Sequence, residues 1–206
     1  MRKLILVLAL GFSAALANAA NTTATLTADN EFWLYTGNAS GSNLTLRGYG
    51  NNWGAPFTFS FDTAPGEYLY VAAHDWGGPQ AWQGVFSTAQ GNLYSNTASW
   101  QYVVASSSDT STAGVVSNIA HATWATPLAE TDNGSGPWGA TVHDVNAKWI
   151  WHDTVSSNSS SDSTYAIFRT IQPAAPVPEA SSYAMLLGGL GTLAFLRRRQ
   201  SKKLVK

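Results

Sequence analysis

The chain has 206 residues, no cysteine and a formal net charge of −1 at neutral pH. Most of the basic residues lie near the two termini and offset a strongly acidic central region. Residues 20–176 hold three basic and eleven acidic side chains, a formal charge of −8. An acidic surface without basic patches argues against nucleic acid, anionic lipid and acidic polysaccharide as partners. Neutral ligands and divalent cations remain, and stability has to come from burial rather than from disulfides.

The N-terminus has the three parts of a secretory signal peptide. Arg2 and Lys3 precede the apolar run 4–16, and Ala17 and Ala19 supply the small residues that a signal peptidase reads. The sequence therefore predicts a signal peptide over residues 1–19 and an exported chain, with a retained N-terminal anchor as the alternative. Cleavage after Ala19 leaves a mature domain of about 155 residues, which is enough for one domain with a proper core.

Residues 20–171 have the pattern of an all-β domain. Short runs rich in Thr, Val and aromatic residues alternate with Gly, Asn, Pro and Ser clusters, and no helical period of useful length is present. Phe57, Phe59 and Phe61 alternate with hydroxyl residues, so their rings should share one core-facing side. The spacing favours a two-sheet antiparallel sandwich. Strands are predicted over residues 22–28, 31–35, 44–49, 57–61, 68–73, 84–87, 100–105, 148–151 and 164–171.

The connections between these strands have recognisable chemistry. Residues 64–67, Ala-Pro-Gly-Glu, predict a tight turn, because proline fixes its own φ and glycine accepts the next position. Residues 106–113 and 156–163 are rich in Ser, which predicts solvated loops. Residues 172–176 are rich in Pro and Ala, which predicts a semi-rigid spacer after the domain.

Three parts of the domain resemble galactose-binding-like jelly-roll modules. They are an Asp-Asn strand start, a Pro-Gly turn into a Val-Ala strand, and a late Trp-Ile-Trp with Phe-Arg, at residues 28–35, 64–78, and 148–151 with 167–169. The resemblance covers residues 22–171 and implies a jelly-roll-like sandwich, often with sugar binding and a structural calcium ion. That family usually has Asn-Gly after the second strand's aromatic residue, where this chain has Thr36-Gly37-Asn38.

All nine tryptophans lie within residues 20–176. Four lie in strand patterns and are expected in the core or on a sheet face: Trp33, Trp100, Trp149 and Trp151. Four others lie in Gly-, Asn- or Pro-rich contexts and are expected in loops: Trp53, Trp76, Trp82 and Trp138.

The segment 75–83 is the candidate ligand site. A sugar ring presents an apolar C–H face flanked by hydroxyls, so its site needs an aromatic platform with amides or carboxylates nearby. This segment supplies both kinds of group in Asp75, Trp76, Gln80, Trp82 and Gln83. The alternative is that these tryptophans fold over and are partly buried.

Catalytic chemistry has little support in the sequence. The chain contains no Gly-x-Ser-x-Gly, His-Glu-x-x-His or phosphate-loop motif, so we predict no catalytic residues and no enzyme. His-Asp dipeptides start at His74, His143 and His152, but adjacent strand residues point to opposite faces and cannot chelate one metal together. The one cofactor expected is a structural calcium ion, with its ligands unassigned.

The C-terminal thirty residues have an ordered arrangement. Val177, Pro178 and Glu179 precede the charge-free run 180–196, which is followed by a cluster of basic residues, Arg197, Arg198 and Arg199. As a helix the run would be about 25 Å long, just enough to cross a bilayer, and the arginines would keep residues 200–206 in the cytoplasm. We predict a membrane helix over 180–196; a plain anchor and a buried core helix are the alternatives.

This arrangement resembles the PEP-CTERM sorting signal of Gram-negative, exopolysaccharide-producing bacteria. The resemblance covers residues 177–199, with Ala180 in place of the last proline of the usual Val-Pro-Glu-Pro motif. It implies recognition by an exosortase, a membrane cysteine protease, cleavage near Pro178 and Glu179, and release to the cell surface or extracellular matrix. Such tails are also labelled ice-binding protein C-terminal domains, which carries no information about ice.

Together these features predict an exported, surface-sorted, non-enzymatic protein of the exopolysaccharide layer, with a neutral polysaccharide as the ligand to be tested. A purely structural matrix protein and a secreted polysaccharide-acting enzyme are the alternatives.

Overall fold

The computed structural model describes residues 19–153, 164–175, 189–191 and 193. Residues Ala19–Pro176 form one unit with its own core. The predicted signal peptide up to residue 18, the predicted loop 156–163, the sorting residues 177–179 and 197–199, and most of the predicted membrane helix lie outside the described residues. Within that helix, residues 189–191 and 193 are helical. No helix in the described ranges is long and apolar enough to cross a membrane.

The described part of the domain consists of strands and one short helix. Their bounds are β1 Ala20–Asp29, β2 Glu31–Gly37, β3 Thr45–Gly50, β4 Phe57–Thr63, β5 Tyr68–Asp75, β6 Ala81–Thr88, β7 Gly91–Tyr94, β8 Trp100–Val104, α1 Thr112–Ala120, β9 Ala129–Asp132, β10 Lys148–Trp151 and β11 Thr164–Thr170. Each predicted strand is present, and β7 and β9 are additional.

The strands form two antiparallel sheets. Sheet A has the order β4-β1-β6-β10-β9, with β7 also paired to β6, and sheet B has the order β3-β2-β5-β11-β8. The prediction of a two-sheet antiparallel sandwich is therefore confirmed.

The core between the sheets is built from alternate residues of each strand. Trp82 of sheet A packs edge-to-face on Trp100 of sheet B with ring centroids 4.8 Å apart, and both are fully buried. Phe57, Phe59 and Phe61 all face this core, as predicted, because successive strand residues point to opposite sides. The interior is thus held by large aromatic contacts, each worth about 0.5–1.5 kcal/mol beyond area burial.

A helix that the sequence pattern did not predict covers part of the outer face of sheet B. Helix α1 starts where a solvated loop was expected, and the Ser111 side chain caps it by accepting a hydrogen bond from the Gly114 amide at 3.1 Å. Val115 and Ile119, four residues apart, pack on the outer face beside Tyr70. The pattern failed here because a nine-residue helix needs only these two large apolar residues to be held by tertiary contacts.

The segment after β11 differs from the predicted spacer. The Ala174 amide donates to the Glu67 carbonyl at 2.8 Å, and the Gly66 amide donates to the Ala175 carbonyl at 2.6 Å. Both alanines are buried. Within the predicted semi-rigid spacer, residues 174 and 175 are therefore held on the domain by the β4–β5 turn; we call these two hydrogen bonds the clasp. The turn itself forms as predicted, with Gly66 at φ +82°.

The two ends of the sandwich can be distinguished from the strand register. Thr164 at the start of β11 pairs with Asp75 at the end of β5, whereas Thr170 at the end of β11 pairs with Trp100 at the start of β8. We call the end that carries the clasp and the β6–β7 hairpin the exit end. The other end, which carries the β5–β6 loop, is the distal end.

Candidate functional site

The predicted ligand segment 75–83 is divided between the surface and the core. Strand β6 starts at Ala81, three residues before the predicted strand, so Trp82 and Gln83 are strand residues rather than loop residues. Trp82 is 0% exposed, whereas Trp76 is 60% exposed. The prediction that both tryptophans form one platform is therefore wrong for Trp82, which belongs to the core.

The three polar residues of the segment are also buried. The Gln83 amide nitrogen donates to the Ala147 carbonyl at 3.1 Å, and its oxygen accepts from the Val142 amide at 3.1 Å. The Gln80 amide nitrogen donates to the Asp153 carboxylate at 2.9 Å. These contacts hold loops to the sandwich and use the amide groups of Gln80 and Gln83. Because both side chains are buried, the prediction that they contact an external ligand is wrong.

Asp75 lies inside the distal end with 1% of its surface exposed. Burial raises the pKa of Asp75 to about 6, and the nearby charge of Asp29 raises it further. A hydrogen bond from the Gly77 backbone and the charge of His74 lower the pKa, but by less. Burial also raises the pKa of Asp29, whose carboxylate accepts a hydrogen bond from the Trp138 indole at 2.7 Å. Asp75 is thus an internal carboxyl group rather than a contact for an external ligand.

Trp138 does not lie exposed in a loop. Its ring stacks on Trp149 with centroids 4.6 Å apart, and both are buried against the outer face of sheet A. Of the four tryptophans expected in loops, Trp53 and Trp76 are the exposed ones.

The exposed Trp76 belongs to a polar and aromatic group on the outer face of sheet B. Its indole N–H donates to the Glu31 Oε1 atom at 3.2 Å, and His74 Nδ1 lies 3.0 Å from the same oxygen. The Tyr49 hydroxyl donates to Glu31 Oε2 at 2.7 Å. Three side chains, one from β3 and two from the end of β5, therefore converge on one mostly buried carboxylate.

Strand pairing explains why these groups meet. Glu31 of β2 pairs with His74 of β5, and Trp33 of β2 pairs with Tyr49 of β3. Because residues i and i+2 share a sheet face, Glu31 and Trp33 both point outward. Trp76 follows β5 directly and its ring folds back over the edge of this face.

Aromatic rings line the outer face of sheet B at the distal end. The Trp33 and Tyr49 centroids are 5.2 Å apart, with the rings tilted by 43°, and Tyr49 is 42% exposed. We call Trp33, Tyr49 and Trp76, with Glu31 and His74 between them, the aromatic strip. The hydrogen bond to Glu31 raises the pKa of Tyr49, which keeps its phenol protonated and donating. The strip thus offers ring faces and fixed polar atoms side by side.

In the sequence, Glu31, Trp33 and Tyr49 have the positions of ordinary strand residues. A signal was present, since the alternation in β2 places a charged residue and an aromatic residue on the same face, where a buried sheet would have only apolar ones. The partner positions in β3 and β5 depend on register, which a single sequence does not specify.

The described residues contain no obvious binding site for the expected calcium ion. Among the residues that the structure describes, no group of three or more His, Cys, Asp or Glu side chains could hold a metal ion. Structural calcium stays a prediction, tested by whether a chelator lowers the melting temperature.

Comparison with known families decides how the protein is sorted. Residues 176–200 match the PEP-CTERM protein-sorting motif. PEP-CTERM signals are recognised by exosortase, a membrane protease, so this is an exported protein that is processed at the membrane and sorted to the surface. No curated protein and no solved structure matches the chain. The resemblance to galactose-binding-like modules therefore has no support from solved structures, although the two-sheet sandwich itself is present.

Proposed function

We propose that this PEP-CTERM protein is a non-enzymatic carbohydrate-binding protein of the cell surface or its extracellular polysaccharide matrix. The observation that carries the proposal is the pair of exposed rings, Trp76 and Tyr49, both hydrogen-bonded to the buried carboxylate of Glu31. The ligand is a neutral polysaccharide that lies along the aromatic strip at the distal end.

The strip has the two kinds of contact that a sugar ring requires. The ring faces of Trp76 and Tyr49 stack on the apolar C–H face of a pyranose. The Trp76 indole donates to Glu31 Oε1 and the Tyr49 hydroxyl donates to Oε2, so Oε2 keeps an acceptor position for a sugar hydroxyl. Because those donors already fix the rings, little side-chain freedom is lost on binding.

Charge determines which class of polysaccharide fits. The formal charge of −8 on residues 20–176 repels acidic polymers, whereas a neutral chain is unaffected. Binding should therefore be strongest for neutral polymers and should change little with ionic strength, since no ion pair is formed with the ligand.

The test uses residues 20–176, which contain the whole core, in affinity electrophoresis against neutral and acidic polysaccharides. We expect a neutral polymer to bind, and Trp76→Ala to weaken binding by about 1–3 kcal/mol, since a truncated aromatic anchor loses its contacts. The hydroxyl deletion Tyr49→Phe should weaken it less, by about 1 kcal/mol, because the ring face stays and hydroxyl hydrogen bonds such as the one to Glu31 are lost.

Trp53→Ala is the matched control, because Trp53 is 44% exposed but lies outside the strip. It should bind like the parent. Trp82→Ala should instead destabilise the fold, by about 3–5 kcal/mol, since it removes a fully buried ring. If no polysaccharide binds, or if Trp76→Ala binds like the parent, the strip is not a carbohydrate site and a purely structural matrix protein becomes the better description.

A further inference from the structure

The folded domain ends directly at the sorting motif. The clasp holds Ala174 and Ala175 to the β4–β5 turn through hydrogen bonds of 2.8 and 2.6 Å, and both residues are buried. The match to the PEP-CTERM motif starts at residue 176, the next position in the chain. No free tether therefore separates the folded domain from the segment that the protease recognises.

This spacing limits how far the domain can lie from the protease. Only Pro176 and Val177 stand between Ala175 and Pro178. An extended chain spans at most about 3.5 Å per residue, so the clasp and Pro178 can be no more than about 10 Å apart. While an exosortase holds the motif, the exit end of the sandwich must lie at the surface of that enzyme.

The exit end carries a surface suited to such a contact. A cleft of about 310 Å³ opens between the β6–β7 hairpin and the segment that follows β11. None of its lining residues is ionisable: Gln90, Asn92 and Gln172 contribute amides, and Leu93, Ile171 and Pro173 contribute apolar surface. Burying an unpaired charge is the main cost of covering an acidic domain surface. A partner that covers this cleft buries no charge and avoids that cost.

We propose that the exit end of the sandwich is a docking surface for the exosortase, so that the enzyme contacts the folded domain together with the motif. The occupant is the membrane protease that recognises residues 176–200, and the closed clasp limits the length of chain between the two contacts. The inference is independent of carbohydrate binding, because the aromatic strip lies at the distal end.

The absence of cysteine from the chain makes a direct test possible. Ala98→Cys places one thiol in the cleft, and Ala55→Cys places one on an equally exposed alanine of the β3–β4 connection at the distal end. Each full-length variant carries a short photo-activated cross-linker on its thiol and is supplied to membranes that contain the exosortase. We expect an adduct with the exosortase from Ala98→Cys at a yield at least about tenfold above that from Ala55→Cys.

A charge substitution provides a second, independent readout. Gln90→Asp adds one negative charge at the exit end, and Asn51→Asp adds one at the distal end on a residue of similar exposure. Because an unpaired charge at an interface is costly, Gln90→Asp should slow processing in a pulse-chase experiment by about tenfold, whereas Asn51→Asp should not. Equal adduct yields from both thiols, or unchanged processing of Gln90→Asp, would overturn the proposal. Such results are expected if the clasp opens, because the longer chain would let the enzyme bind the motif without contacting the domain.

Discussion

Asp75 shows how a single residue can make the domain sensitive to pH. Its carboxyl group is buried beside Asp29, and burial is the largest cause of its raised pKa. A carboxyl whose pKa is higher in the folded state than in the unfolded chain favours folding while it is protonated. The stability that it contributes is therefore present at acidic pH and is lost as the pH rises through its folded pKa.

We expect the domain to lose stability between about pH 4 and pH 7. The shift from the ordinary value of 3.8 to about 6 corresponds to about 3 kcal/mol of unfolding free energy, with Asp29 acting in the same direction. Urea unfolding at several pH values measures it, and Asp75→Asn, which cannot ionise, should flatten the profile. A parent domain whose stability rises over this interval would contradict the role assigned to Asp75.

At the residue scale, the tryptophans show what sequence can and cannot specify. Trp100 and Trp151 are buried as their strand patterns predicted, because alternation within a strand is a local property. Trp76 and Trp82 are six residues apart in similar surroundings, yet one is exposed and the other is core. The difference arises because the pairing of β6 with β1 extends to Ala81, which makes Trp82 a strand residue. That pairing joins residues far apart in the chain, so the local sequence does not indicate it.

At the scale of elements, helix α1 depends on one capping residue and two apolar contacts. Ser111 caps the first turn, and loss of an N-cap side chain typically costs about 1 kcal/mol. We therefore expect Ser111→Ala to lower the unfolding free energy of the domain by about 1 kcal/mol, measured by urea denaturation.

Ser117→Ala is the control for this substitution. Ser117 is exposed within the same helix, and alanine has the higher helix propensity, so the change should be neutral or slightly stabilising. Equal stability losses from both substitutions would mean that the cap does not hold the helix.

Elements that depend on local sequence were predicted correctly, whereas features that depend on contacts between distant residues were not. Strands such as β4 and turns such as residues 64–67 follow local alternation and backbone preference, and both formed as predicted. The clasp could not be predicted, because its partners, Gly66 and Ala175, are more than a hundred positions apart. The same reason explains the aromatic strip, whose residues come from β2, β3 and the end of β5.

At the scale of the whole molecule, the sandwich separates two surfaces. The aromatic strip lies at the distal end, and the chain leaves the folded domain at the exit end beside the clasp. Contacts made by the strip and contacts made with a protease at the exit end can therefore occur without competing for the same residues. Removal of the sorting segment would leave both sheets intact, since β11 ends at Thr170 and the clasp ends at Ala175.

Processing at both ends is the last prediction. The predicted signal cleavage after Ala19 would leave Ala20, the first residue of β1, as the new N-terminus, and sorting should remove the basic tail. Mass spectrometry of the protein released from the cell surface should find a chain that begins near Ala20 and ends upstream of Tyr183. Because every strand that the structure describes lies within those limits, the released form should melt like residues 20–176. Recovery of an intact C-terminus through residues 197–206 on released protein would contradict cleavage at the sorting motif.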